Sequence, residues 1–123
     1  MRGPWLHYGP LTRPQVAELL GSCHVFLDAS DYQAFGRTAL EAMACRCPAV
    51  VPALDAAAEY AIHGKNAFVV DTDSEAEILR LTTDLLCDTA KIDTPANAGQ
   101  ETARSYSTDG AALSITKAIG LLV

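Results

Sequence analysis

Residues 33–51 constrain the fold most, because a glycine turn, a short helical segment and an apolar strand segment follow one another directly. Gly36 can adopt backbone angles closed to other residues, so the free N–H groups of the next turn can point at one anion. Arg37–Ala44 reads as the helix, whose dipole adds about half a positive charge at that end. Pro48–Pro52 reads as the buried strand, bounded by prolines. The order of these segments predicts a phosphate site.

The rest of the chain alternates short apolar runs with helical patterns, which predicts an α/β fold with a three-layer, Rossmann-like arrangement and a mainly parallel sheet. Ligands of such sheets bind beyond the carboxyl ends of the strands, where the loop 29–36 is expected. The predicted strands are 5–8, 24–28, 48–52 and 67–70. The predicted helices follow caps at Thr12, Asp55 and Ser74, and cover about 13–21, 37–44, 56–63, 75–87 and 98–106, with a loose turn over 89–98 and a weakly amphipathic tail over 108–123.

Composition narrows the class of partner. Half of the 123 residues are hydrophobic, which is enough for the packed core of one domain. Nine basic against fifteen acidic residues leave a net charge of −6, which opposes binding to nucleic acid or anionic lipid. No apolar run reaches the roughly 18 residues of a membrane span, so we expect a cytoplasmic protein.

The four cysteines follow no zinc-binding spacing, and we predict reduced, mostly buried thiols. His7, His24 and His63 are separated by whole structural elements, which argues against a metal site built from histidines. Glu41 is the strongest candidate for binding, because it lies about one turn inside the predicted helix. A carboxylate there can accept hydrogen bonds from two neighbouring hydroxyls of a ribose or a sugar. Phosphate and diol together indicate a nucleotide.

The chain also resembles a known family in the region from about residue 6 to residue 86. The family has a Glu, Gly-Phe-Gly, a Leu-Glu-Ala-Met-Ala segment, a Pro before two apolar strand residues, a further Glu and an Asn-Gly hairpin. The matching residues here are Gln33, Ala34-Phe35-Gly36, Leu40-Glu41-Ala42-Met43-Ala44, Pro48-Ala49-Val50-Val51, Glu59 and Gly64-Lys65-Asn66-Ala67-Phe68-Val69-Val70. They resemble the C-terminal, donor-binding half of retaining glycosyltransferases of the GT-B fold, family 4, also called group 1.

The resemblance implies that Glu41 holds the ribose diol of a nucleoside diphosphate-sugar and that Gln33 touches the sugar hydroxyls. Backbone groups from Phe35 to Leu40 would contact the sugar and its diphosphate, and Leu11 would lie against the base. No metal or other cofactor is expected, so we interpret Asp28 and Asp31 as capping or turn residues. The donor-binding set implied is Leu11, Gln33, Ala34, Phe35, Gly36, Arg37, Thr38, Leu40 and Glu41, with no catalytic residue among them.

The sequence departs from the family pattern at several positions. Gln33 replaces a Glu, and a neutral hydrogen bond is weaker than a charged one by about 1 kcal/mol, which bears on the choice of sugar. Ala34 and Ala56–Ala58 stand where glycines are usual. Arg46 replaces a turn glycine, and we expect strain there if its φ is positive.

The resemblance implies a nucleotide-sugar-binding part of an enzyme that transfers a hexose-type sugar with retention at the anomeric carbon. It covers only part of the donor half, so we expect 1–123 to be a partial domain. The N-terminal acceptor domain would be missing, and the chain would be inactive alone and able to form a homodimer through uncovered apolar surface. The alternatives are a non-enzymatic α/β interaction or structural module, and a related GT-B enzyme such as a nucleotide-sugar epimerase.

Overall fold

A computed structural model describes residues 6–30, 36–53 and 55–106 of the chain, with the backbone alone at 55 and 56. Within these ranges the strands are short and the helices are longer. The strands are β1 (Phe26–Leu27), β2 (Ala49–Pro52) and β3 (Phe68–Val70). The helices are α1 (Arg13–Ser22), α2 (Arg37–Ala44), α3 (Asp55–Ala58), α4 (Glu75–Cys87) and α5 (Asp93–Ser105), with a 3-10 turn at Thr89–Lys91.

The strands form a parallel sheet in the order β1-β2-β3. Phe26 pairs with Ala49, and Val50 pairs with Phe68. The Asp28 amide still donates to the Val50 carbonyl at 2.9 Å, so the chain leaves the sheet just beyond the carboxyl end of β1. This edge leads into the loop that precedes α2, as the sequence predicts.

Alternate residues of the strands face two different layers of helix. Val51 lies on the face covered by α2, together with Met43 and Tyr60. Val50 lies on the opposite face, where it packs with Leu85 of α4. Helices therefore cover both faces of the parallel sheet, and the predicted α/β fold class is confirmed.

Helix α5 packs against α2 around a buried amide. Asn66 is 7% exposed, and its Nδ2 donates to the Tyr60 carbonyl at 2.7 Å and to Thr102 Oγ1 at 2.9 Å. Its Oδ1 accepts from the Ile62 amide at 2.8 Å. A Cβ on Gly99 would lie 2.8 Å from the Asn66 carbonyl, so this glycine allows the close approach of α5.

Several predicted boundaries are wrong, and each has a local cause. Leu6–Tyr8 is not a strand, while residue 5 lies outside the described part. Helix α3 ends after one turn, because the Asn66 side chain takes the Ile62 amide that a longer helix would use. Helix α5 begins at residue 93 instead of 98, because Pro95 falls in its first turn, where a missing N–H breaks no helical bond. The tail over 108–123 lies outside the described residues.

The four thiols are free, but two of them are not buried. Cys23 and Cys87 are exposed, Cys45 is half-buried and Cys47 is buried. The prediction of mostly buried thiols is wrong for Cys23 and Cys87, because both lie at the C-terminal ends of helices. In the described part of the chain, no helix is long and apolar enough to cross a membrane.

Candidate functional site

Gly36 opens helix α2 with a left-handed backbone, at φ 78° and ψ 45°. Its carbonyl accepts from the amides of Ala39 at 3.1 Å and Leu40 at 3.4 Å. No side chain caps this helix, and no described residue accepts from the amides of Arg37 or Thr38. These two amides are therefore the ones that the described structure leaves for an anion.

Glu41 lies one turn further along the same helix and stands on the wall of a cleft of about 670 Å³. Its carboxylate is half exposed and lies 3.9 Å from the Arg37 guanidinium, which also lines the cleft. The cleft is formed by α1, α2 and Tyr106. Its lining residues are Leu11, Arg13, Val16, Ala17, Leu20, Arg37, Leu40, Glu41, Ala44, Cys45 and Tyr106.

The structure thus brings together Leu11, Arg37, Leu40 and Glu41 from the predicted site. Gly36 and Thr38 adjoin them at the N-terminal end of α2, although neither lines the cleft. Gln33, Ala34 and Phe35 lie outside the described residues. The cleft combines an apolar wall with a carboxylate and two arginine residues, which suits a ligand with an aromatic ring, hydroxyls and phosphates.

Arg13 is a lining residue that sequence reasoning missed. It is the first residue of α1, whose start is fixed by a capping box. Thr12 Oγ1 accepts from the Gln15 amide at 3.4 Å, and the Gln15 side chain accepts from the Thr12 amide at 2.9 Å. The predicted Thr12 cap is confirmed. The signal for Arg13 was its place directly after this cap and the Leu11 loop.

Tyr60 is a second residue that sequence reasoning missed, and it binds the backbone of the Gly36 turn. Its hydroxyl donates to the Gly36 carbonyl at 3.1 Å, and its side chain is buried. The Tyr106 ring packs edge-on against it at 6.1 Å between centroids. Burial, with smaller effects of Asp28 and Tyr106, raises the pKa of Tyr60 above its usual value, so its hydroxyl keeps its proton. Nothing in the sequence pattern marks this residue.

Arg46 has the positive φ that the sequence analysis associates with strain, at 60°. Its side chain is anchored on α5: Nε donates to Asn97 Oδ1 at 2.6 Å, and an Nη lies 3.7 Å from the Asp93 carboxylate. The long side chain therefore makes contacts that a glycine could not make. These contacts offset part of the cost of the backbone conformation.

Asp28 and His63 both have local structural contacts. The Asp28 carboxylate accepts from the amide of Ser30 at 2.9 Å and from its hydroxyl, which is a turn contact as interpreted from the sequence. Nδ1 of His63 accepts from the Val69 amide at 2.9 Å. Among residues 6–30, 36–53 and 55–106, no three His, Cys, Asp or Glu side chains cluster in a way that could hold a metal ion.

A parallel sheet covered on both faces, with a glycine-opened helix beside a cleft, is the arrangement of a Rossmann-like domain. The chain belongs to the family of glycosyl transferases group 1, whose model matches residues 5–104. Comparison with curated proteins gave no significant match.

Several solved structures share this fold. Anabaena HepE in complex with UDP and glucose superposes with a TM-score of 0.78 at 25% identity, covering 88% of this chain and 30% of that chain. HepE in complex with UDP-glucose gives the same values. Sucrose-phosphate synthase from Thermosynechococcus elongatus gives a TM-score of 0.75 at 22% identity, over 82% of this chain and 26% of that one. The present chain thus spans about 30% of the length of HepE.

Proposed function

We propose that the chain is the nucleotide-sugar-binding part of a glycosyltransferase, which transfers a hexose-type sugar from a nucleoside diphosphate to an acceptor with retention. The family match over residues 5–104 carries this proposal. The complexes of HepE with UDP and UDP-glucose support UDP-glucose as the first donor to test. The free thiols fit a reducing compartment such as the cytoplasm.

In this proposal the donor lies along the cleft beside α2. The amides of Arg37 and Thr38 face the diphosphate, and the side chains of Arg37 and Arg13, both residues of the cleft lining, share its charge. Glu41 accepts from the ribose hydroxyls, and Leu11 lies against the base. Gly36 and Leu40 border the diphosphate and the sugar, together with Gln33, Ala34 and Phe35.

The chemistry that follows from this placement is stabilisation of the leaving group. Breaking the bond between sugar and phosphate leaves an added negative charge on the nucleoside diphosphate, which helix amides and guanidinium groups stabilise without a metal. Orientation of the ribose by Glu41 fixes where the anomeric carbon stands. Acceptor binding belongs to a further domain that the proposal requires as a partner, so residues 1–123 act as a partial donor domain.

Titration calorimetry with UDP, GDP and their glucose conjugates tests the proposal. We expect the wild-type chain to bind at least one of these ligands, and Glu41→Ala to weaken binding about tenfold or more, because charged hydrogen bonds contribute about 1.5–3 kcal/mol. Glu101→Ala is the matched control, since Glu101 is also a helix glutamate paired with an arginine at 3.1 Å but lies on α5, outside the cleft lining.

The second candidate is a non-enzymatic interaction or structural module on the same scaffold. Gln33 in place of the family's glutamate favours it, because the charged contact to the sugar is lost. Arg46, whose contacts are with α5, shows that some family positions serve packing in this chain. Absence of binding by the wild-type chain to every nucleotide and nucleotide-sugar tested would support this candidate.

A further inference from the structure

Tyr60 connects two parts of the chain that are distant in sequence. It follows α3, between β2 and β3, while Gly36 lies between β1 and α2. The hydrogen bond from the Tyr60 hydroxyl to the Gly36 carbonyl is 3.1 Å long and spans 24 positions. A buried tyrosine hydroxyl needs such a partner, because burying it unpaired is unfavourable.

The hydrogen bond from Tyr60 holds one end of the peptide group between Gly36 and Arg37. The Gly36 carbonyl and the Arg37 N–H belong to the same planar, trans peptide group and therefore point in opposite directions. The carbonyl points into the helix, where it also accepts from Ala39 and Leu40. Holding the carbonyl thus fixes the direction of the Arg37 N–H, which points out of the helix start.

Gly36 needs this restraint more than another residue would. Its left-handed backbone is one of several conformations that a glycine adopts at little cost, and no side chain among the described residues caps α2. The Tyr60 ring is in turn held by burial and by its edge-on contact with Tyr106. The position of the Tyr60 hydroxyl is therefore fixed, and its hydrogen bond restrains the backbone of Gly36.

We propose that Tyr60 is a positioning residue that aims the Arg37 amide at the diphosphate of the donor. The inference rests on the proposed function. It predicts an effect confined to ligands with phosphates, because Tyr60 does not line the cleft in which the base and ribose would lie.

The test compares UDP with uridine on the 123-residue chain. We expect Tyr60→Phe to raise the Kd of UDP about fivefold to tenfold, the loss of one well-placed hydrogen bond, while the Kd of uridine changes less than about twofold. Thr102→Val is the control, because it removes the bond from Asn66 that lies behind α2 and should leave both affinities unchanged. Equal UDP affinity in wild type and Tyr60→Phe, or equal loss for UDP and uridine, would overturn the inference.

If Tyr60→Phe folds poorly, an NMR titration of the wild-type chain can still contradict the inference. In the wild-type chain, saturation with UDP should move the NMR resonance of the Arg37 amide strongly downfield, while saturation with uridine should not. An Arg37 resonance that UDP leaves in place would contradict the inference. Failure of the wild-type chain to bind UDP, GDP or either glucose conjugate would instead reject the proposed function, so the two failures are distinguishable.

Discussion

Arg37 and Glu41 are the pair on which the proposed donor binding depends most. Both side chains are well exposed, and their separation of 3.9 Å makes a weak surface ion pair. Such a pair contributes little to the stability of the fold, so each partner is available to a ligand. We therefore expect substitutions here to change ligand affinity more than the free energy of unfolding.

Arg37→Ala is predicted to raise the Kd of UDP about threefold to tenfold and to leave the Kd of uridine unchanged, since a guanidinium near a phosphate acts through charge. Its effect on UDP binding should shrink as salt is added, because the contact is exposed. Arg80→Ala is the matched control: Arg80 also pairs with an acidic residue four positions on, at 3.6 Å, but lies on α4. Calorimetry at two salt concentrations measures the Kd of UDP for each variant. A rise in this Kd of similar size in Arg80→Ala would count against a phosphate contact at Arg37.

Ionisation of Cys47 is expected to make the free energy of unfolding depend on pH in the alkaline range. Burial, with smaller effects of Cys23 and Cys45, raises the pKa of its thiol from 9.0 to about 11. Between these values the unfolded chain loses the proton and the native chain keeps it, so the native state is favoured fully below pH 9 and loses this advantage as pH rises toward 11. The free energy of unfolding should fall by an amount on the order of 2 kcal/mol over this range.

Denaturant unfolding at several pH values measures the slope of the free energy of unfolding against pH. Cys47→Ala should make this slope shallower but not abolish it, because the raised pKa of Tyr60 contributes to it as well. The constant loss of stability from the smaller side chain does not affect the slope. Cys87→Ala should leave the slope as in wild type, because Cys87 is exposed. A slope that is the same in all three chains would show that Cys47 is not its source.

At the scale of the elements, glycine-to-alanine changes separate packing from helix propensity. A Cβ at Gly99 would meet the Asn66 carbonyl at 2.8 Å and Met43 at 3.5 Å, so Gly99→Ala forces α5 away from its neighbours. We expect the free energy of unfolding to fall by about 1–3 kcal/mol, the usual effect of overpacking. Thermal denaturation followed by circular dichroism measures it.

Gly21→Ala is the control for that change. Gly21 also lies in a helix, but a Cβ there would meet nothing within 4 Å. Alanine should raise the free energy of unfolding by about 0.5–1 kcal/mol, because it is the better helix former. Destabilisation of similar size in both variants would contradict the packing argument for α5.

Local signals in the sequence predicted the elements whose ends carry a chemical marker. The Thr12 and Ser74 caps, Gly36 and the apolar run before Pro52 fixed α1, α4, α2 and β2 within a residue or two. The extent of α3 and the start of α5 were not predictable in the same way. The extent of α3 depends on Asn66, whose side chain bonds across three segments, and a contact between segments leaves no pattern in the local sequence. The start of α5 was missed because Pro95, interpreted as a break, lies in the first turn of the helix.

The candidate site shows the same division. Residues on one helix face, such as Arg37, Leu40 and Glu41, share the cleft because their spacing puts them there. Leu11 was reached only through the resemblance to the family, and Arg13 and Tyr60 were missed. Their contribution depends on how α1 and the segment after α3 pack against α2, which is a property of the tertiary structure.

The 123-residue chain as a whole is expected to bind UDP-glucose without transferring its sugar. The chain spans about 30% of HepE and carries no residue to which we assign a catalytic role. Incubation of the 123-residue chain with UDP-glucose and simple sugar acceptors should therefore release UDP no faster than buffer does, although calorimetry detects binding. A coupled UDP-release assay checks this, and turnover at an ordinary enzymatic rate would contradict the proposed division of roles.

A crystal structure of the chain soaked with UDP would show whether the start of α2 binds the diphosphate. The account predicts phosphate oxygens within hydrogen-bond distance of the Arg37 and Thr38 amides, and the Glu41 carboxylate on both ribose hydroxyls. A diphosphate bound elsewhere, or a ribose turned away from Glu41 in a fully occupied site, would contradict it.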